Sequence, residues 1–272
     1  MGFETSHSKT FQPSVAEARS PAGWTLPGHA SMLTGLYPSR HGAHLAGGWL
    51  AGQSIDGRRN VAFPLSPEHV TLAEALRDRG YQTAGFVANF SYLYRDFGLA
   101  QGFGHYEDAP GLLFRVRPPV VRVARAFAPG FCVKPYRSAR EINASALAWL
   151  DQAPASRPVF LFLNYMEAHQ PWAAPEPFDH WLWEQPHARA LLERDLYTHE
   201  IRRFTPDELG VIGAIYDGQL AAMDAALGEL VGALRTRGRY ENALLIVTAD
   251  HGEMLGEHDT VGHMGRMLYE PS

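Results

Sequence analysis

Residues 157–172 read RPVFLFLNYMEAHQPW, an apolar run that passes without a spacer into a carboxylate, an imidazole and an indole. Continuous apolar character without polar alternation fits a strand buried on both faces, as in a parallel sheet. A helix is predicted just upstream, over SAREINASALAWLDQ (138–152), and the same order recurs twice. HVTLAEALRDRG, ending at Gly80, precedes the apolar run QTAGFVAN (82–89). TPDELGVIGAIYDGQLAAMDAALGELVGALRTRG, ending at Gly238, precedes NALLIVTAD (242–250). Both glycines suit the left-handed position that follows a helix. Thr205, Pro206 and Glu208 offer the longest helix an N-cap, a first-turn proline and a capping box. Its apolar residues drift along one broad stripe, which predicts packing on a sheet. Helices alternating with buried strands, without internal repeats or low-complexity linkers, predict one α/β domain over residues 1–272, long enough to bury a sizeable core.

Composition narrows the function classes. A net charge of −5, from 24 basic and 29 acidic residues, argues against a general nucleic-acid binder. The single cysteine, Cys132, excludes an internal disulfide and a cysteine metal cluster, and reads as a small buried apolar residue. No run of about 18 apolar residues occurs, so no transmembrane segment is expected. The first 22 residues have no apolar core and make no signal peptide, which places the chain in the cytoplasm if its first residue is the natural start.

In open parallel sheets, ligand groups gather beyond the carboxyl ends of the strands. The strand at 157–166 runs into Glu167 and His169. The one at 242–250 runs into Asp250, His251, Glu253, Glu257, His258, Asp259 and His263. Asp250 and His251 offer a carboxylate oxygen and an imidazole nitrogen at a strand end. That pair suits Zn²⁺ or Mn²⁺, and with further oxygen ligands Ca²⁺ or Mg²⁺. The alternative is a solvated polar loop in which backbone groups satisfy His251. His169 and His263, each taken alone, read as ordinary loop histidines.

A hydroxyl stands in a comparable place in GWTLPGHASMLTGLYPSRHG (23–42). Pro27 and Gly35 bound a short helix over 26–34, with Thr25 near its N-cap. Capping is the commonest reason for such a threonine and contributes about 1 kcal/mol. The same position suits a nucleophile, because a helix N-terminus favours an alkoxide and an incoming anionic ester. An alcohol needs a base or a metal to ionise at neutral pH, and Asp250 with His251 could hold that metal. Ser31, in GHASM, does not form the Gly-x-Ser-x-Gly elbow of the serine hydrolases.

At this stretch the chain resembles the sulfatase family of the alkaline phosphatase superfamily, whose motif runs Cys/Ser-x-Pro-x-Arg followed by SLLTG-x-x-P. TLAEALRDRGYQTAGFVAN, QGFGHY, FLFLNYMEAHQPW, YDGQLAAMDAALGELVGALRTRGRYENALLIVTADHGEMLGEH and GHMGRMLYE match further segments in the family's order, so that the likeness covers about residues 20–272. The resemblance implies an alkaline-phosphatase-like, mostly parallel sheet with helices on both faces. It implies a metal-dependent hydrolase of sulfate or phosphate esters using one divalent ion (Ca, Mn, Mg or Zn). The substrate would be an anionic ester of a small molecule, a glycan or a lipid headgroup. Thr25 takes the nucleophile position and would also ligate the metal with Asp250 and His251. His169 matches a histidine that binds the anionic oxygens or assists the leaving group. His263 matches a basic residue that contacts the sulfate or phosphate. Asn89 falls where relatives place a polar substrate contact, and His29 stands where the motif has its arginine.

Two departures from the family carry consequences. Threonine cannot become the formylglycine of ordinary sulfatases. Thr25 instead looks like the nucleophile of the superfamily's phosphodiesterases, phosphonate hydrolases and phosphoethanolamine transferases. The family also begins with a strand ending in metal-binding aspartates, whereas the first aspartate here is Asp56 and LYEPS stops early. The resemblance therefore implies a chain lacking that first strand and the C-terminal part, with Glu4 or Glu17 in no context to replace the aspartates. A non-catalytic remnant is the alternative reading. Residues 111–140 hold seven basic residues and no acidic one, and read as a variable insertion whose arginines pair with surface carboxylates, the alternatives being a substrate lid that attracts anions or an interfacial patch on anionic lipid.

Overall fold

Two of the predicted apolar strands, joined by a short strand at 105–107 that the sequence did not announce, form a parallel sheet, and the groups beyond their carboxyl ends converge on one side of the protein. The computed structural model describes residues 18–46, 61–89, 91–109, 136–170, 172, 174–179 and 203–263. In chain order the elements are α1 (Thr25–Thr34), α2 (Pro38–His41), β1 (His44–Ala46), β2 (Val61–Phe63), α3 (Leu72–Arg77), β3 (Gln82–Val87) and β4 (His105–Glu107). Then follow α4 (Ala139–Gln152), β5 (Val159–Asn164), α5 (Pro206–Thr236), β6 (Met254–Leu255) and β7 (Val261–Gly262). The parallel sheet runs β4–β3–β5, and β1–β2 and β6–β7 are small antiparallel pairs.

Side-chain alternation along β3 and β5 decides which helix covers which face. Ala84 and Phe86, with Ala88 just beyond the strand, join Leu161 and Leu163 against Ile142 and Ala146 of α4. Val87 and Phe162 turn the other way, toward Leu26, Ala30 and Leu33 of α1. Helices thus cover both faces, as the resemblance implied. Each fully buried Leu, Ile or Phe contributes roughly 1.5–3 kcal/mol, so these two clusters fix α1 and α4 relative to the strand ends.

The capping box at Thr205 and Glu208 is present, and equivalent boxes start α3 (Thr71, Glu74) and α4 (Ser138, Glu141). Glu167 anchors the start of α4 as well. Its buried carboxylate accepts the Ala139 N–H at 2.5 Å, where a helix N-terminus favours negative charge. This strand-end carboxylate is therefore committed to structure. The buried stripe of α5 divides instead of lying on the parallel sheet as its periodicity predicted: Ile212 and Ile215 pack against Trp172 and Val261, while the part around Ala226 meets α4. Small residues let the helices approach, and Asn143 of α4 donates to the Ala226 carbonyl at 2.9 Å while accepting from the Tyr165 hydroxyl at 2.5 Å.

The predicted buried strand at 242–250 requires correction. Residues 242–249 form no strand and are exposed, Leu244 at 87% and Ile246 at 70%. Apolar composition signals a tendency to be buried, but a strand exists only where a neighbour takes its N–H and C=O groups. None among the described residues does so. The segment still delivers Asp250 to α1. The Cys132 reading, Glu4, Glu17 and most of the basic segment fall outside the described residues, although Arg137 pairs with Glu107 and Arg140 with Glu229.

Gly102 shows how tightly the sheet edge is packed. Its φ is +82°, and a Cβ there would lie 2.2 Å from the Glu74 backbone nitrogen at the start of α3. Gly102→Ala combines left-handed strain with a backbone clash, each worth about 1–3 kcal/mol. We expect a loss of about 4 kcal/mol in chemical denaturation. Gly80→Ala meets nothing within 4 Å at a similar φ of +89°, so only the conformational cost of roughly 1 kcal/mol should remain. Equal losses in the two variants would contradict the packing.

Candidate active site

Thr25 is the first residue of α1, and Trp24, extended at φ −165° and ψ 166°, is the N-cap, with no side-chain cap bond. The threonine is therefore not capping the helix. Its hydroxyl is buried and accepts a 3.3 Å hydrogen bond from Asn89 Nδ2, just beyond β3. The orientation of the Asn89 amide is chemically fixed. Its Oδ1 accepts the N–H groups of Ser91 and Tyr92 at 3.1 and 3.0 Å, so the NH₂ group must face Thr25. The Asn89 backbone N–H in turn donates to Asn164 Oδ1 at 3.0 Å, tying this contact to the ends of both β3 and β5.

One turn along α1, His29 Nδ1 lies 2.9 Å from the Thr25 carbonyl and 3.1 Å from Asp250 Oδ2. Both partners are acceptors, so this nitrogen carries the proton. Burial opposes a charge on His29, but the charge and hydrogen bond of Asp250, with help from the Thr25 carbonyl, outweigh it and raise its pKa. Burial likewise opposes ionisation of Asp250. The charge and hydrogen bond of His29 prevail and hold that carboxyl well below the usual range. Asp250 reaches α1 because Gly28 has no side chain: a Cβ there would lie 2.9 Å from the Asp250 carbonyl oxygen. Ser20 Oγ donates to the same carbonyl.

His251 Nδ1 donates to the Gly252 carbonyl at 2.9 Å, which leaves Nε2 as a bare lone pair. That nitrogen stands 3.6 Å from Asp250 Oδ2. Two lone-pair carriers held face to face repel each other, and a divalent cation between them removes the conflict. The oxygen-plus-nitrogen pair fits Mn²⁺ or Zn²⁺. Beyond His251 the site continues through His263, whose ring centroid is 4.2 Å away, to His169, 4.8 Å further. His263 Nδ1 donates to Glu253 Oε1 at 2.8 Å, and His169 Nδ1 donates to the Gln170 carbonyl. Burial is the main influence on His169, His251 and His263 and lowers all three pKa values, helped by His–His repulsion at His169 and His251.

All seven residues expected at the site thus fall into one connected group: Thr25, His29, Asn89, Asp250, His251, His263 and His169. Sequence reasoning gave no role to Gly28, Glu253 or Gly262. Gly262, at φ +89°, leaves room for the Gln170 side chain, since a Cβ there would lie 2.7 Å from Gln170 Oε1. The glycine beside a candidate nucleophile and the glutamate two residues past a metal-type histidine were the available signals. A cleft of about 610 Å³ between α1 and residues 248–252 is lined by Asp250 and His251 but by none of Thr25, Asn89, His169 or His263.

A mostly parallel sheet carrying a helix-borne hydroxyl, an Asp–His pair and further histidines beyond its strand ends defines an alkaline-phosphatase-like α/β protein. The chain matches the Sulfatase family over residues 14–271 and belongs to it. Members of that family typically bind a divalent metal, and the described residues include a His/Glu group able to hold one. The chain is 26% identical over 274 residues to an arylsulfatase of Klebsiella aerogenes, covering 84% of this chain and 56% of that protein. It is also 26% identical over 298 residues to the multifunctional alkaline phosphatase superfamily protein PehA of Trinickia caryophylli, covering 88% and 55%. It spans about half the length of these relatives. Among solved structures, a phosphonate monoester hydrolase of Agrobacterium radiobacter superposes with a TM-score of 0.59 at 20% identity, over 92% of this chain and 57% of that one. This last likeness establishes the fold.

Proposed function

We propose that the protein is a metal-dependent hydrolase of sulfate or phosphate esters in which Thr25 Oγ1 is the nucleophile. The observation that carries this reading is the Thr25 hydroxyl itself. It is buried, free of any capping duty, and held by an amide whose orientation two backbone N–H groups determine. In the reaction Oγ1 bonds to phosphorus or sulfur as the bond to the leaving alcohol breaks in line. The threonine proton departs, the leaving oxygen gains one, and water then cleaves the threonine ester. Asn89 and the N-terminal N–H groups of α1 stabilise the developing alkoxide. His29 holds Asp250 in place, and the family resemblance implies that His169 and His263 contact the ester oxygens. A divalent ion bound by Asp250, His251 and Thr25 would lower the hydroxyl pKa and offset charge on the ester oxygens.

The nucleophile's chemistry favours phosphorus. A threonine sulfate ester lacks the elimination route that a formylglycine hydrate provides, whereas water can clear a phospho-threonine. The test is turnover of aryl sulfate, phosphate monoester, phosphodiester and phosphonate substrates with Mn²⁺, Zn²⁺, Mg²⁺ or Ca²⁺. Metal-dependent turnover fastest on a phosphorus ester is expected. Turnover of aryl sulfate alone would contradict the phosphorus preference, and none with any ion would count against hydrolysis. Asn89→Ala should lower kcat about tenfold with KM little changed, since positioning of the attacking group is what it supplies. An unchanged kcat would separate Asn89 from the nucleophile.

A further inference from the structure

Asn164, the last residue of β5, stands opposite Val87, the last residue of β3. Successive N–H groups of a strand point to opposite sides, so a neighbouring strand accepts only every second one. Beyond β3 this rule is broken. The Ala88 N–H donates to the Asn164 carbonyl at 3.2 Å, and the very next N–H, that of Asn89, donates to Asn164 Oδ1 at 3.0 Å. Both reach one residue because the chain bends at Ala88. β5 leaves the ladder at the same level, where the Met166 N–H turns to Glu167 Oε2 at 3.2 Å instead of to a carbonyl of β3. The Asn164 side chain thus supplies the acceptor that the ended ladder no longer offers.

This bend aims Asn89 at Thr25. The Asn89 Oδ1 accepts from Ser91 and Tyr92, and its carbonyl accepts from the Leu93 N–H at 3.1 Å. Those three bonds fix the shape of the 89–93 turn from within. The bond to Asn164 Oδ1 sets the angle of that turn to the sheet, and with it the direction of the NH₂ group that meets Thr25 Oγ1 at 3.3 Å. We propose that Asn164 is a positioning residue for the nucleophile, acting through Asn89, an inference that rests on the role of Thr25 proposed above. The Asn164 amide has one way round, since its Oδ1 must face the Asn89 N–H. Its NH₂ group donates to no described residue. Aspartate at this position therefore keeps the acceptor without breaking another bond, whereas alanine removes it.

The test is a double-mutant cycle. Asn164→Ala is expected to lower kcat about tenfold with KM little changed, and to cause no further loss in an Asn89→Ala background, because residues acting as one unit are not additive. Asn164→Asp should recover most of that kcat while raising KM, since its charge repels an anionic ester. Losses that multiply in the double variant would overturn the proposal, as would an Asn164→Asp variant with the kcat of Asn164→Ala. A second readout needs no turnover. The Asn89 side-chain NH₂ resonances, assigned by their absence from Asn89→Ala, should shift in Asn164→Ala and far less in Asn164→Asp. Unmoved resonances in Asn164→Ala would refute the proposal whatever the kinetics. A parent inactive on every ester would count against hydrolysis, while shifted resonances would still support the orientation of Asn89 by Asn164. Circular dichroism checks folding, and Asn164→Leu, of similar shape but without an acceptor, replaces an alanine variant that does not fold.

Discussion

Thr25→Ala is expected to lower kcat by at least about 10³-fold while leaving the protein folded. Its hydroxyl is held by Asn89, at 3.3 Å, and losing that bond costs about 1 kcal/mol of stability. The helix itself should persist, because the N-cap is Trp24 and the sharp stop at Gly35 lies at the far end of the helix from Thr25. Thr25→Ser keeps the hydroxyl and should keep kcat within about tenfold of the parent. A structural role for the methyl group would give the opposite pattern, with serine and alanine equally impaired and both variants less stable. Steady-state kinetics with a thermal melt separates the two cases.

Gly28→Ala is expected to show a large effect on turnover with a small one on stability. Alanine within a helix normally gains about 1 kcal/mol over glycine. Here the new methyl would stand 2.9 Å from the Asp250 carbonyl oxygen and 3.3 Å from its Cβ, and such overpacking costs about 1–3 kcal/mol. The two terms nearly cancel, so the melting temperature should fall by only a few degrees. The displacement falls on Asp250, and a shift approaching 1 Å at a site of this kind costs about 10² in kcat. A Gly28→Ala variant that is both more stable and fully active would show that α1 does not abut the Asp250 loop.

How far the sequence could be read depended on whether each signal was local. The boxes at Thr205–Glu208 and the glycine stops at Gly80 and Gly238 involve residues within one turn of each other, and they are present as read. The apolar runs of β3 and β5 became strands because each pairs with another strand. The run at 242–249 has the same composition and no such neighbour among the described residues, and composition carries no information on pairing. The site residues were legible through motif resemblance, but their tautomers were not. Those follow from which carbonyls face His169, His251 and His29, a matter of backbone geometry at single residues. Gly28 escaped notice for a similar reason, since its purpose lies in a contact 222 positions away in the chain.

The most direct test of the central claim is covalent trapping. Protein loaded with Mn²⁺ or Zn²⁺ is mixed with an activated aryl phosphate ester, quenched in acid within the first turnover, digested, and analysed by mass spectrometry. The account predicts a peptide containing Thr25 that is heavier by one phosphoryl group, with fragmentation placing the group on Thr25 and no such peptide in Thr25→Ala. Turnover that leaves Thr25 unmodified, with the group on another residue or on none, would contradict the assignment of Thr25 as the nucleophile.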